Sequence, residues 1–158
     1  MLHRFREFRV AITGDIREMF HQVMVNNIDQ QCQRFLWRNG DQNRSPETYV
    51  MKVMTFGATC SPSCAQFIKN HNAQRYQDRF PRAAEAIINE HYEDDMLSSE
   101  ETEEEVVKLA KGVRFIHGRA EFVIHNWLSK SHRVLQELKA EPGEISLNLS
   151  RFPKYLLG

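Results

Sequence analysis

The run from His91 to Ser98, HYEDDMLS, constrains the fold more than any other segment of this chain. Its pattern predicts a tight β-hairpin with acidic residues at the turn, and a connection this short joins strands that pair antiparallel. Apolar residues alternate with others at residues 8–13 (FRVAIT), which predicts a second strand that Gly14 and Asp15 end. The chain should therefore contain an antiparallel sheet.

The other elements alternate helices with strands. A long helix is predicted from Thr102 to His117, because Thr102 and Glu105 have the spacing of a capping box and apolar residues recur at helical spacing behind them. We also predict a helical turn at residues 16–23, a hairpin of strands 33–38 and 48–55, helices at 61–76 and 81–88, and a strand at 121–128. This order is typical of the α+β class, with helices packed on one face of an antiparallel sheet.

Composition limits the classes of function. The Lys plus Arg count equals the Asp plus Glu count, at 21 each. Proteins that bind a nucleic-acid backbone usually carry an excess of basic residues, so the balanced charge argues against tight nucleic-acid binding by this chain alone. Three cysteines and no leader segment lead us to expect reduced thiols in an intracellular, cytoplasmic protein. No stretch is apolar enough to cross a membrane. The length suits one domain, residues 1–158.

Two predicted strands place carboxylates at their ends. Asp15 follows an apolar strand, and Asp94 and Asp95 lie at the hairpin turn. If the two strands are neighbours, three carboxylates converge, and such oxygen ligands suit Mg²⁺. On spacing alone, an ordinary polar turn at Asp94 and Asp95 is the better explanation.

Four ordered segments resemble motifs of the reverse transcriptase palm, most closely those of Pao/BEL-type retrotransposons. They are VAITGDIREMF, FGATCSP, HYEDD, and FVIHNW with the following Ser129. FREFR and RFLWR also resemble this family, and Leu157-Gly158 resembles the start of a fifth motif, the primer grip. The resemblance implies a DNA/RNA polymerase-like palm with its core at about residues 8–130, and residues 131–158 leading into a truncated primer grip.

The resemblance also implies a two-metal RNA-directed DNA polymerase. Asp15 and Asp94 would bridge two Mg²⁺ ions, with Mn²⁺ as an alternative, while Asp95 would assist and the Ile16 carbonyl would be a further ligand. The implied partners are an RNA or DNA template, a DNA primer and deoxynucleoside triphosphates.

Five further positions correspond to substrate-binding positions of the family. Phe20 would exclude a ribose 2′-hydroxyl, Phe56 and Gly57 would lie against the nucleotide and template, Gln66 falls at a family-like position, and Tyr92 would back the catalytic turn. From sequence alone, core packing explains Phe20 better than a sugar gate does.

The chain departs from the family pattern at Glu93, Asn126 and Lys130, where the family usually has an apolar residue, Lys and a polar residue. A buried Glu93 would be a costly charge.

The resemblance further implies that fingers, thumb and ribonuclease H segments are missing, so we expect no polymerisation by the chain alone. One alternative is an inactive, degenerate remnant with at most weak nucleic-acid binding. Another is a nucleotide cyclase, which the segment at residues 56–62 argues against.

Overall fold

The computed structural model describes residues 2–139. They form two compact units, one made of residues 2–17 and 67–139 and the other of residues 18–66. In chain order the helices and strands are α1 (Leu2–Phe5), β1 (Val10–Ile16), β2 (Arg34–Trp37), β3 (Glu47–Val50), α2 (Ser61–Gln74), α3 (Pro81–Asn89), β4 (His91–Tyr92), β5 (Asp95–Glu100), α4 (Glu103–Gly118), β6 (Ile124–Ser129) and α5 (His132–Lys139). The single domain and the palm bounds stay predictions, and the primer grip lies outside the described residues.

The first unit contains a four-stranded sheet in the order β4-β5-β1-β6, and every neighbouring pair in it is antiparallel. One face of the sheet contributes Ile12, Met96 and Trp127 to a core that α3, α4 and α5 complete. The α+β class predicted from the sequence is confirmed.

Helix α4 forms as its sequence predicts. The Thr102 hydroxyl accepts from the Glu105 amide and the Glu105 carboxylate accepts from the Thr102 amide, so the capping box is complete. Gly112 lets α3 approach α4 closely, because a Cβ at this position would lie 2.8 Å from that of Ala83. The helix continues one residue past the predicted end at His117, since Gly118 is the last helical residue and Arg119 caps the end.

Strand β1 continues past the predicted end and includes Gly14 and Asp15. A Cβ on Gly14 would lie 2.9 Å from two carbons of the Trp127 ring, so the strand can continue here only because this residue is glycine. The β1–β6 register shifts between Thr13 and Asp15. Asn126, in this bulged part of β6, has φ 52°, a conformation that asparagine tolerates better than most residues.

Helix α2 presents a different face to the core from the one its sequence suggests. Cys64 and Phe67 recur at helical spacing but are exposed, while Lys69 and Ala73 are fully buried. Ser61 is the first helical residue, as the predicted start of this helix requires, and its hydroxyl donates to the Thr55 carbonyl at 2.7 Å. The apolar pattern of this helix is weak, so tertiary packing decides its orientation.

The second unit contains the predicted hairpin. β2 and β3 pair antiparallel, with Phe35 opposite Tyr49 and their rings stacked 5.8 Å apart. The predicted helical turn is a 3-10 helix at Met19–Gln22, and a further 3-10 helix spans Asp29–Cys32. None of the helices in the described residues is both long and apolar enough to span a membrane.

Candidate active site

A row of polar side chains crosses the sheet near the end of β1. Asp15 pairs with Asp95 of β5 on one side and with His125 of β6 on the other, and Asp95 also pairs with Tyr92 of β4. Residues directly opposite each other in antiparallel strands project from the same face. Four strands therefore place their polar side chains in one line, on the face opposite to the buried Ile12 and Ile16.

The turn of the hairpin is fixed to β1. It consists of Glu93 and Asp94, and the Ile16 amide donates to the Asp94 carbonyl at 2.9 Å. This hydrogen bond holds the Asp94 backbone beside the end of β1, where Asp15 lies. The role of the Ile16 carbonyl as a metal ligand stays a prediction.

Glu93 is an exposed residue rather than a buried charge, so the cost of burial that its sequence position suggested does not arise. Its φ of 53° lies in the left-handed region, where a residue with a Cβ is strained. The unusual feature of Glu93 is therefore its backbone conformation.

Several acidic groups act on Asp95. Burial raises its pKa above the usual value, and the negative charges of Asp94, Asp15 and Glu93 raise it further. Asp15 lies opposite Asp95 in the strand register, and Glu93 and Asp94 precede Asp95 directly in the chain, so these charges lie close enough to repel. A cation placed among them would relieve the repulsion.

His125 is a site residue that the sequence reasoning missed. Its Nε2 lies 2.8 Å from Oδ1 of Asp15, and both side chains are partly exposed. The segment FVIHNW predicts this strand, but within it only Asn126 departs from the family pattern, and nothing in the segment distinguishes His125. Only the cross-strand register reveals that His125, and not Asn126, lies opposite Asp15.

The side chains of the described residues do not form a ready-made metal cage. Within residues 2–139, no group of three or more His, Cys, Asp or Glu side chains is arranged to hold a metal ion. What the fold provides is a pair of aspartates in register, Asp15 and Asp95, with Asp94 at the adjoining turn.

The remaining predicted site residues apart from Tyr92 lie in the second unit. Phe20 is 8% exposed and packs edge-on against Phe56, with their centroids 5.0 Å apart, while Phe56 itself is 66% exposed. Gly57 has φ 87°, so its backbone conformation requires glycine, and Gln66 is half-buried on α2. Phe20 is thus buried within its unit, and its role as a sugar gate stays a prediction.

Comparison with known proteins agrees with the motifs. A family model described as reverse transcriptase (RNA-dependent DNA polymerase) matches residues 2–141, which include Asp15, Asp94 and Asp95. A search of curated proteins finds no match. The chain therefore belongs to the reverse transcriptase family, whose members are RNA-directed DNA polymerases that act as nucleotidyltransferases.

Proposed function

We propose that this chain carries the polymerase palm of a Pao/BEL-type retrotransposon and that Asp15, Asp94 and Asp95 form its catalytic centre. The observation that supports this proposal best is the register of β1 and β5, which places Asp15 directly opposite Asp95 and next to the turn that bears Asp94. An unrelated polar turn would have no reason to face an aspartate on the neighbouring strand.

The donor set suits a hard divalent cation. Carboxylate oxygens are the ligands that Mg²⁺ prefers, and this ion commonly takes only one or two carboxylates and completes its coordination with substrate phosphates and water. In the proposal, Asp15 and Asp94 hold two Mg²⁺ ions, or Mn²⁺, with Asp95 and the Ile16 carbonyl beside them. When bound, such ions activate a primer 3′-hydroxyl for attack on the α-phosphate and stabilise the leaving pyrophosphate.

The other residues position the nucleic acid and the nucleotide. Tyr92 lies beside Asp95 in the row and is 67% exposed, so its ring is available to the primer end. Phe56 and Gln66 contact the template or the incoming nucleotide, Gly57 gives the backbone close access, and Phe20 excludes ribonucleotides. The substrates are a template, a DNA primer and deoxynucleoside triphosphates.

A second candidate is an inactive remnant of such an enzyme, and one observation favours it. Lys69 is fully buried and its Nζ has no hydrogen-bond partner in the described part of the chain. An unpaired buried amine is costly and contributes nothing evident to polymerisation. A copy no longer under selection for activity could accumulate such a residue.

Metal binding and polymerisation should be measured separately. Mn²⁺ binding to the purified chain, with a primed RNA template and a deoxynucleotide present, is followed by electron paramagnetic resonance, and primer extension is followed on the same template. Asp94→Asn should abolish the bound Mn²⁺ signal, and if the chain extends the primer it should also lower extension by about a hundredfold or more, because a lost ligand removes several kcal/mol of charge stabilisation. Asp78→Asn, an exposed aspartate outside the row, is the matched control.

The outcomes distinguish the two candidates. Extension that depends on Asp94 and not on Asp78 supports the polymerase. Mn²⁺ binding that depends on Asp94 without any extension supports the remnant. Mn²⁺ binding that is unchanged in both Asp94→Asn and Asp15→Asn contradicts the proposed catalytic centre.

A further inference from the structure

Three basic side chains are buried together in the first unit. Lys69 of α2 and His117 of α4 are 0% exposed, and His91, the first residue of β4, is 7% exposed. We call these three residues the basic cluster. The proposed active site does not use it, yet it adjoins that site, because Tyr92 and the turn of Glu93 and Asp94 follow His91 directly.

The hydrogen bonds of the cluster define which nitrogens carry protons. Nδ1 of His91 lies 3.1 Å from the Ala86 carbonyl, which can only accept, so this nitrogen donates. Nε2 of His91 lies 3.2 Å from Nε2 of His117, so the neutral His91 accepts there and His117 donates. Burial favours the neutral form of both imidazoles, and in that form Nδ1 of His117 has a lone pair and no partner in the described residues.

Proton uptake therefore has a specific structural consequence. A proton on Nε2 of His91 converts the acceptor into a second donor that faces the donor of His117, and their hydrogen bond breaks. A proton on Nδ1 of His117 leaves that bond in place but buries a positive charge close to Lys69. Both events oppose the closed arrangement of β4 against α3 and α4.

We propose that the basic cluster is an acid-sensitive anchor of the catalytic hairpin, residues 91–97, and that His91 is the positioning residue through which protonation releases it. The inference does not rest on polymerase activity and would hold equally for an inactive remnant. Within the described residues, the hairpin is also bonded through the Ile16 amide to the Asp94 carbonyl and through the Leu97 amide to the Glu90 carbonyl, each at 2.9 Å. These two amides report whether the hairpin is closed.

The charged groups that shift the pKa of His91 are basic. Burial lowers the pKa of His91 well below its usual value, and His117 from α4 and Lys69 from α2 lower it further, while the bond to Ala86 of α3 opposes the change. Burial and Lys69 lower the pKa of His117 to about 3. From β5, the residue paired with His91 is the uncharged Met96.

The lowered pKa values of His91 and His117 determine how the opening of the hairpin depends on pH. Both imidazoles have lower pKa values in the closed form than the ordinary 6.5, so an open hairpin binds more protons once the pH falls below 6.5. Each imidazole then raises the opening constant by up to about tenfold per pH unit, and the pair by up to about a hundredfold. Above pH 6.5 the imidazoles contribute no pH dependence.

Amide hydrogen exchange on the full chain between pH 5 and 7.5 tests the proposal, with rates corrected for the intrinsic pH dependence of exchange. Protection of the Ile16 and Leu97 amides should fall below pH 6.5 by up to about a hundredfold per unit. The Arg17 amide, which donates to the Val123 carbonyl between β1 and β6, should keep its protection over the same range.

Variants assign the effect to the cluster. His117→Gln retains a donor toward His91 but cannot titrate, so the slope should fall to about tenfold per unit. Lys69→Met should leave the slope below pH 6.5 unchanged, because burial, and not Lys69, is the largest cause of both lowered pKa values. His71→Gln replaces an exposed histidine of α2 and should match the unmodified chain.

Two results would overturn the proposal. One is protection of Ile16 and Leu97 that does not change with pH, or that changes equally in the unmodified chain and His117→Gln. The other is a loss of protection that is the same at Arg17, because the whole unit then unfolds in acid and the hairpin has no separate anchor. Asp95 also titrates within the hairpin, and the comparison with His117→Gln removes its contribution.

Discussion

Replacing Lys69 with methionine should stabilise the protein markedly. The Lys69 side chain is fully buried and its Nζ lacks a hydrogen-bond partner among the described residues. Methionine has a similar length, is apolar and adapts to irregular space. The substitution therefore removes the buried amine with little change in packing.

The magnitude follows from the pKa. Burial lowers the pKa of Lys69 from 10.5 to about 7, and at 1.36 kcal/mol per pH unit this corresponds to about 5 kcal/mol of unfavourable free energy. The unfolded chain holds the proton up to pH 10.5 while the folded chain releases it near pH 7. The stability of the unmodified protein should therefore rise as the pH increases from 7 to 10.5, and the full cost applies below pH 7.

Urea unfolding at pH 7 and pH 9.5 measures both effects. At pH 7, Lys69→Met should increase the free energy of unfolding by several kcal/mol, up to about 5, and raise the Tm by roughly 10 °C or more. The gain should be smaller at pH 9.5. Lys111→Met, at an exposed position of α4, is the matched control and should change stability by less than about 0.5 kcal/mol.

A small increase in the free energy of unfolding from Lys69→Met would refute the reasoning. If Lys69→Met and the unmodified chain have equal stability at pH 7 and the same dependence on pH, the ammonium group reaches water through the length of its side chain. The buried amine would then carry no cost and would no longer favour an inactive remnant.

Three further predictions concern backbone conformation, packing and substrate choice. Glu93→Gly should stabilise the protein by about 1 kcal/mol in urea unfolding, because glycine tolerates a φ of 53°. Glu93→Val should destabilise the protein in the same measurement. Equal effects of the two substitutions would show that the backbone of the turn relaxes freely. Gly14→Ala should lower the unfolding free energy by about 1–3 kcal/mol, because the new Cβ meets the Trp127 ring at 2.9 Å, whereas Gly118→Ala meets nothing within 4 Å and should be neutral or slightly stabilising by the same measurement. If the chain extends primers, Phe20→Val should admit ribonucleotides, and unchanged discrimination between ribonucleotides and deoxynucleotides in that assay would leave Phe20 as packing alone.

Local signals predicted much of the fold. The capping box at Thr102 and Glu105 acts within four residues, so the start of α4 depends on nothing distant. The strand hairpin at residues 91–98 was also predictable, because a turn of two residues brings its flanking strands side by side, where they pair. The end of β1 was not predictable, since Gly14 is ordinarily a breaker and becomes a strand residue only beneath the Trp127 ring.

Orientation was the second feature that local signals did not predict. The exposed Phe67 and the buried Lys69 lie on the same helix, and the spacing of apolar residues suggested the opposite arrangement. Burial of α2 is a property of the whole unit, where the surrounding helices and strands fix which face turns inward. The weak apolar pattern of α2 does not by itself determine which face of the helix is buried.

By itself, the sequence determined the family of the protein and predicted its three metal-binding aspartates, because the ordered motifs contain Asp15, Asp94 and Asp95 wherever these residues lie in space. Only the tertiary structure decided that Asp15 faces Asp95, that His125 lies opposite Asp15, and that His91 and His117 share a buried hydrogen bond. The physical reason is that register and burial arise from contacts between residues far apart in the chain. A motif records which side chains are present, whereas the packing of strands and helices sets the neighbours, the solvent and the charges that each one meets.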